Sequence, residues 1–266
     1  MNSVPRTAAT NVVWLDEVDS TMSVASRLAE RWLVSEVGEL ADTLLVAGRQ
    51  NAGRGRGSHD WRSPRGGVYV TWLGWVESSR LGCVPLAAGL AAAEAVEAAV
   101  SGVRVRFKWP NDLIGGGGGK LGGILCQSRS VGGRHWVAVG FGINVAVAPV
   151  LSPPPSPPPA ALLDEVPELD PEAVVASVVA EIPLRFRRAL SEQESTCQEW
   201  ASRSLHRVGD EVRLRDGTEI VTGLFLGFTG EGHLRLSVAG VERVFPAGEL
   251  ILPLEERGGE DGAAGS

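Results

Sequence analysis

The sequence predicts an α+β protein with a small all-β unit at its C-terminal end. Two observations carry this. Up to about residue 204, short apolar strand patterns alternate with helical stripes; after about 205 the chain changes to short runs of alternating polarity separated by glycine turns. The size fits, since 266 residues allow one large domain, or a medium domain plus a small one. A content of 44% hydrophobic and 21% charged residues suits a packed core and is too apolar for a disordered chain.

Residues 12–18 (VVWLDEV) read as a strand, and Asp19 and Ser20 offer N-cap chemistry for a helix over about 21–35 with Val24, Leu28, Ala29 and Trp32 at helical spacing. Thr43–Gly48 is a short buried strand, residues 49–66 a polar loop rich in Gly and Arg, and Val68–Val76 a strand. Pro85 opens an Ala-rich helix to about Val100. Val103–Trp109 alternates with period two and reads as a half-buried strand, followed by a Pro-Asn-Asp turn and five glycines at 115–119. Leu121–Gln127 and His135–Val145 form a strand pair around a Gly132-Gly133 turn.

Residues 148–160 are dominated by proline and predict an exposed, polyproline-like insertion, either a flexible excursion or a recognition segment. Asp170-Pro171 is an N-cap/N1 pair opening a helix with Val174, Val178 and Ile182 on one stripe and a kink at Pro183; another helical piece ends near Ser204. Val208–Leu214, Glu219–Phe225, Leu234–Val238 and Val241–Phe245 then predict a small antiparallel barrel. The expected division is 1–204, 205–254 and a disordered tail at 255–266.

Composition excludes several classes. A net charge of −7 makes the chain a poor general binder of nucleic acid, whose phosphates are met mainly by Lys and Arg. Cys83, Cys126 and Cys197 are odd in number and widely spaced, which shows neither a disulfide framework nor a zinc motif and points to unpaired thiols in a reducing compartment. Met1 to Thr10 has no apolar core of a signal peptide. The most apolar stretch, 136–151, is shorter than the roughly 20 residues of a membrane helix. These features predict a soluble cytoplasmic protein without a membrane or DNA partner. Of the 25 basic residues, only Lys108 and Lys120 are lysines. Arg and Lys are not interchangeable where a compact ammonium is needed, so residues 108–120 draw attention.

Three segments there and nearby carry chemistry. In GRQNAGRGRGSHDW (48–61), glycines bring the backbone close to an anion, Arg49, Arg54 and Arg56 offer bidentate contacts, and Trp61 offers a face to a heterocycle; a basic surface loop is the competing reading. KWPNDLIGGGGGKLGGIL (108–125) is not a P-loop, because Ile114 stands at the first glycine position and Leu121 follows Lys120 where Ser or Thr belongs. VGFGINV (139–145) sets Asn144 among apolar residues, which by itself fits a satisfied turn residue.

Taken together, Gly53-Arg54-Gly55-Arg56 with Trp61, Ser63-Pro64 and Gly66, the run Lys108–Asp112 with Lys120–Leu125, Gly142–Val145, and Asp19-Ser20-Thr21 resemble the biotin protein ligase family. The resemblance extends from about residue 12 to 253, and its KWPND–lysine segment is highly specific. It implies a mixed β-sheet with helices packed on it, a biotin/lipoate ligase-like and class II synthetase-like catalytic domain, and an SH3-like C-terminal barrel. Because only about 11 residues precede the first strand, a monofunctional enzyme without a winged-helix domain is expected.

The implied reaction activates biotin with ATP to biotinyl-5′-AMP, then transfers biotin to a lysine of a biotin carboxyl carrier protein domain. ATP and biotin are substrates, and Mg2+ is expected on the triphosphate with its protein ligands unassigned. The resemblance makes Lys120, Asp112 and Arg56 catalytic. It gives biotin to Ser20, Thr21, Gln50, Arg54, Gly55, Arg56, Lys120, Gly122 and Gly123, and the adenylate to Arg54, Arg56, Trp61, Lys108, Asn111, Lys120 and Asn144. For Asp112 the alternative is a carboxylate capping its own turn; for Lys108 it is a strand-end residue.

The chain departs from the family at Gly57 and His59, where further basic residues are common, and the glycine run predicts unusual flexibility before Lys120. A lipoate or octanoate ligase is the nearest rival, and a non-catalytic binder of biotinyl-AMP the rival from another class.

Overall fold

The computed structural model describes residues 11–34, 41–57, 60–131, 134–151 and 155–251. The expected Gly132-Gly133 turn, His59 and the tail from 255 lie outside the described residues. Strand β1 (Asn11–Val18) leads through helix α1 (Thr21–Val34) to β2 (Thr43–Gln50), which pairs with β1 in parallel. Then come β3 (Gly67–Val76), α2 (Val84–Ala99), the short strands β4 (Arg106–Lys108) and β5 (Asp112–Ile114), and the long hairpin β6 (Lys120–Val131) and β7 (Arg134–Asn144). These strands form one mixed sheet in the order β1-β2-β3-β7-β6-β5-β4.

Helices lie on both faces of this sheet, which explains its continuous apolar runs. Along β2, Leu44 and Val46 join the larger core with α2, while Leu45 turns to the other face and meets Met22, Ala25 and Ala29 of α1. The larger core is completed by α4 (Pro171–Ser191) and α5 (Gln193–Ser202), which follow a single-turn helix, α3 (Leu162–Glu165). The Asp170 carboxylate caps α4, accepting from the N–H groups of Glu172 and Ala173 at 3.0 and 3.4 Å, and Val174, Val178 and Ile182 form the buried stripe. The helix continues through Pro183.

The C-terminal strands β8 (Glu211–Asp216), β9 (Glu219–Phe228), β10 (Leu234–Val238), β11 (Val241–Phe245) and β12 (Glu249–Ile251) form a separate antiparallel sheet in the order β11-β10-β9-β8-β12. Val212, Leu214, Phe225, Leu234, Leu236 and Leu250 face inward at alternate positions, in a core continuous with that of α2, α4 and α5. Trp200 of α5 links the units: its ring stacks on Phe107 at 4.7 Å and meets Phe228 edge-on at 5.1 Å.

Several sequence expectations change. The strand expected over 103–109 pairs only at 106–108, and its alternation ends at Lys108 and Trp109, which are both buried because the barrel covers this edge. The Asp112–Ile114 strand and β12 were not legible as strands, each having only three residues. At the start of α1 the Thr21 N–H donates to Gln50 Oε1 at 2.8 Å, so the neighbouring strand satisfies it in place of a local cap. The three thiols are free; Cys83 and Cys197 are buried, and Cys197 Sγ donates to Gly230 C=O at 3.4 Å.

The proline-rich insertion is not a free excursion. Of its described part, Pro158 C=O accepts from Lys120 N at 2.7 Å and Ala160 N donates to Lys120 C=O at 2.9 Å, so this stretch runs beside the start of β6. Pro suits that place because an edge segment spares its missing N–H.

Candidate active site

A cavity of about 590 Å³ opens on the α1 face of the large sheet, beyond the helix N-terminus. Its floor follows from residue size along β7. The side chains on this face fall from Trp136 through Ala138 to Gly140 and Gly142, and end at Asn144. A Cβ on Gly142 would lie 2.7 Å from the Trp61 indole nitrogen, so only glycine lets that ring rest on the strand. Gly123, paired with Gly142, and Leu125, paired with Gly140, extend the floor onto β6.

At one end the groups are neutral and polar. Thr71 Oγ1 donates to Thr21 Oγ1 at 2.8 Å, which reaches Gln50 Oε1 at 3.1 Å, while Gln50 Nε2 donates to Ser63 Oγ at 2.7 Å. Ser20 lies beside them, buried. This chain of hydroxyls and an amide offers both donors and acceptors within a largely apolar wall. Such an end suits a neutral heterocycle with polar edges.

At the other end stand the cations. Lys120 Nζ lies 2.6 Å from Asp112 Oδ1 and 5.7 Å from the Trp61 ring centroid. A register shift between Leu113 and Ile114 against β6 sets Leu121 as an extra residue, which brings Lys120 and Gly123 to the same side despite their odd spacing. Arg56 Nη1 donates to Gly248 C=O at 3.1 Å and approaches Asn111 Oδ1 at 3.4 Å, and Asn111 is itself fixed by donating to Ile124 C=O at 3.0 Å. Arg54 lies on the loop, which is closed by a bridge from Arg54 to Asp60 and by the Trp61 N–H donating to Gly53 C=O at 2.9 Å. Asn144 donates to Ala160 C=O at 3.0 Å while its Oδ1, buried, has no hydrogen-bond partner. The Trp61 indole N–H is likewise buried and unpartnered, so the site retains one acceptor and one donor for a ligand.

Thirteen of the fourteen candidate residues named from sequence line this one cavity; the exception is Gly122. Gly122 pairs with Ile143, and a Cβ there would meet Gly142 C=O at 2.5 Å and Leu113 at 3.2 Å, so its tight place serves sheet packing on the side away from the cavity. The glycine run is more ordered than its composition suggests. Gly115 N–H donates to Gly119 C=O at 2.9 Å, and Gly117 N–H donates to Glu165 Oε1 at 3.3 Å.

The sequence reading missed two walls. One is Pro149, Leu151, Pro155, Ser156, Pro157 and Pro159 of the proline-rich segment. The other belongs to the barrel: Arg215, Asp216, Gly217, Ala247, Gly248 and Glu249. Glu249 Oε1 lies 3.5 Å from the ammonium of Lys108, which is only 4% exposed, so Lys108 is a buried charge with its partner on the C-terminal sheet. A single Glu opening the otherwise apolar run ELILPL was the available signal.

Comparisons with known proteins agree with this geometry. The Biotin/lipoate A/B protein ligase family matches residues 14–144. A biotin–[acetyl-CoA-carboxylase] ligase from Paracoccus denitrificans is 31% identical over 246 residues, covering 89% of this chain and 98% of the relative. The enzyme of the same name from Mycobacterium tuberculosis is 29% identical, covering 89% and 88%. Among solved structures, a biotin protein ligase from Aquifex aeolicus in complex with biotin and ATP superposes with a TM-score of 0.69 at 27% identity, covering 91% of this chain and 97% of that one. The near-complete two-way coverage by ligases extends the match through the C-terminal barrel, and the chain belongs to the biotin protein ligase family.

Proposed function

We propose that this chain is a biotin–[biotin carboxyl carrier protein] ligase, which condenses biotin with ATP to biotinyl-5′-AMP and then passes the biotinyl group to a lysine of a carrier domain. The observation that carries this reading is one cavity with a neutral polar end at Ser20, Thr21 and Gln50, and a cationic end at Lys120, Arg56 and Lys108.

The first step brings the biotin carboxylate to the α-phosphorus of ATP, so negative charge gathers where acid and nucleotide meet. Lys120 lies between the two ends and serves both anions; Arg54 and Arg56 add countercharge from the loop. Trp61 and Asn144, with their free donor and acceptor, receive the nucleotide side. Gln50, Thr21 and Ser20 hold the ureido ring, and Gly55 and Gly123 allow close approach of backbone. In the second step the carrier amine attacks the acyl carbon and AMP leaves; Asp112, at the mouth beside Lys120, orients that amine and takes its proton.

Among the described residues no group of three or more His, Cys, Asp or Glu is placed to hold a metal ion. Of the carboxylates that line the cavity, Asp112 and Glu249 are engaged by Lys120 and Lys108, and Asp60 and Asp216 do not form a cluster with them. Magnesium would therefore enter as part of the nucleotide substrate, held by phosphate oxygens and water. The partner is a carboxylase carrier domain rather than DNA, and the compartment the cytoplasm. Among the described residues no helix is long and apolar enough to cross a membrane. We further divide the chain into a catalytic domain through residue 204 and a barrel domain over 205–254.

The test is ATP–pyrophosphate exchange with biotin, lipoate or octanoate, on the wild type and Lys120→Ala. Exchange with biotin alone, lost in the variant, supports the reading. Exchange with lipoate or octanoate instead moves the protein to the acyl-ligase branch, and no exchange with any acid returns the binder reading.

A further inference from the structure

A second cavity, of about 450 Å³, lies where α5 passes into the barrel, and it shares no lining residue with the first. It is lined by Arg106 of β4, Ser202 and Ser204 at the end of α5, His206 and Arg207 of the linker, and Phe225 of β9. His206 is 93% buried, at 7% exposure, and its Nε2 has no hydrogen-bond partner. An imidazole nitrogen in that position costs free energy unless something fills it. Its backbone is held, since His206 N–H donates to Ser204 Oγ at 3.3 Å and Leu205 N–H donates to Phe107 C=O at 2.8 Å. The ring lies 6.3 Å from that of Phe225, so one flank is apolar. Neither Arg106 nor Arg207 has an ion-pair partner among the described residues, while Asp210 near the imidazole accepts from Arg207 N–H at 2.7 Å.

From these residues we propose that this cavity binds a small phosphate-type oxyanion, at a site separate from the ligase cavity. Two guanidiniums, the Ser204 hydroxyl and an imidazole supply donors, while the Ser202 hydroxyl is already given to Glu199 C=O at 2.8 Å. That arrangement matches a tetrahedral anion better than a planar carboxylate, which presents its oxygens in one plane. Burial pushes the imidazole below its ordinary value, Asp210 opposes that shift, and Lys108 and Arg106 add to it. A bound anion shifts that balance toward the imidazolium, which then donates through Nε2. Arg106 and Lys108 are two residues apart on β4, so the bound anion would stand near the lysine that faces the ligase cavity.

The experiment is an NMR titration of the histidine ring signals of the full chain with inorganic phosphate, against chloride at matched ionic strength. The His206 signals are identified by their loss in His206→Gln. The expected result is a saturable shift with phosphate only, accompanied by a rise in the His206 pKa. Arg106→Gln and Arg207→Gln, both at exposed positions, should each weaken the response about tenfold, the loss of one charge-assisted hydrogen bond. Arg54→Ala, in the ligase cavity, should leave it intact. Equal drift in phosphate and chloride, titrations unchanged by both Arg→Gln variants, or a response abolished by Arg54→Ala would each overturn the proposal. None of these readouts depends on ligase activity.

Discussion

Lys120 and Asp112 neutralise one another across 2.6 Å at the rim of the cavity, so substitution of either alters both. Lys120→Ala should lower the rate of biotin-dependent pyrophosphate exchange by about 10²–10³, the scale of removing one preorganised group from developing charge. Asp112→Asn leaves the ammonium in place and should depress transfer from preformed biotinyl-AMP more than exchange; single-turnover transfer beside exchange separates the two. Equal loss in both would mean that Asp112 acts only through Lys120. A third residue gives a pH signature. The hydrogen bond from Arg27 holds the Asp19 carboxyl down at about 2, against an ordinary 3.8. A depressed carboxyl contributes stability above its unfolded value and loses it as the pH falls through the folded one. Asp19→Asn should therefore flatten the fall in stability between about pH 4 and pH 2, read by urea melts across that window. At this scale the sequence was informative, because the chemistry demands residue types with few substitutes: two lysines among arginines, a tryptophan closing a Gly- and Arg-rich loop, an Asn amid apolar neighbours.

Elements show where local pattern ends. β12 is three residues long and carries too little periodicity to read, yet it brings Glu249 to the buried Lys108 and Gly248 to Arg56. Glu249→Gln leaves that lysine charge without its ionic partner, and the expected result is an altered KM for ATP with a smaller change in the KM for biotin. Initial-rate kinetics with each substrate varied would check it, and equal changes for both would remove β12 from the nucleotide end. The segment 155–160 teaches the same lesson. Proline content predicted exposure, but Pro158 and Ala160 bond the Lys120 backbone, a pairing with a residue some 40 positions earlier that composition cannot reveal. The loop that carries Arg54 and Arg56 read from sequence as polar and rich in Gly and Arg, and a bridge between Arg54 and Asp60 gives its described part a partly formed shape. Biotin with ATP should slow tryptic cleavage after Arg54, Arg56 and Arg62; cleavage at an unchanged rate would separate loop closure from ligand binding.

At the scale of the molecule, the two sheets are joined by shared core rather than by a tether. Trp200 is the clearest joint, buried between Phe107 of β4 and Phe228 of β9. Trp200→Ala should cost about 3–5 kcal/mol, measured by urea unfolding, and should also weaken ATP use by loosening the barrel that carries Glu249. What the sequence by itself determined was the order of long elements and the small C-terminal barrel, because periodicity and turn chemistry are local properties, while the family resemblance of its motifs named thirteen residues that line the cavity. What only the tertiary structure decided was which distant segments close the site. The face that Gly122 takes, the partner of Lys108, the cap of Thr21 and the wall made by the proline-rich segment all depend on strand register and on how the two sheets pack together. These follow from how the two sheets pack across the whole chain, and no window of sequence contains them.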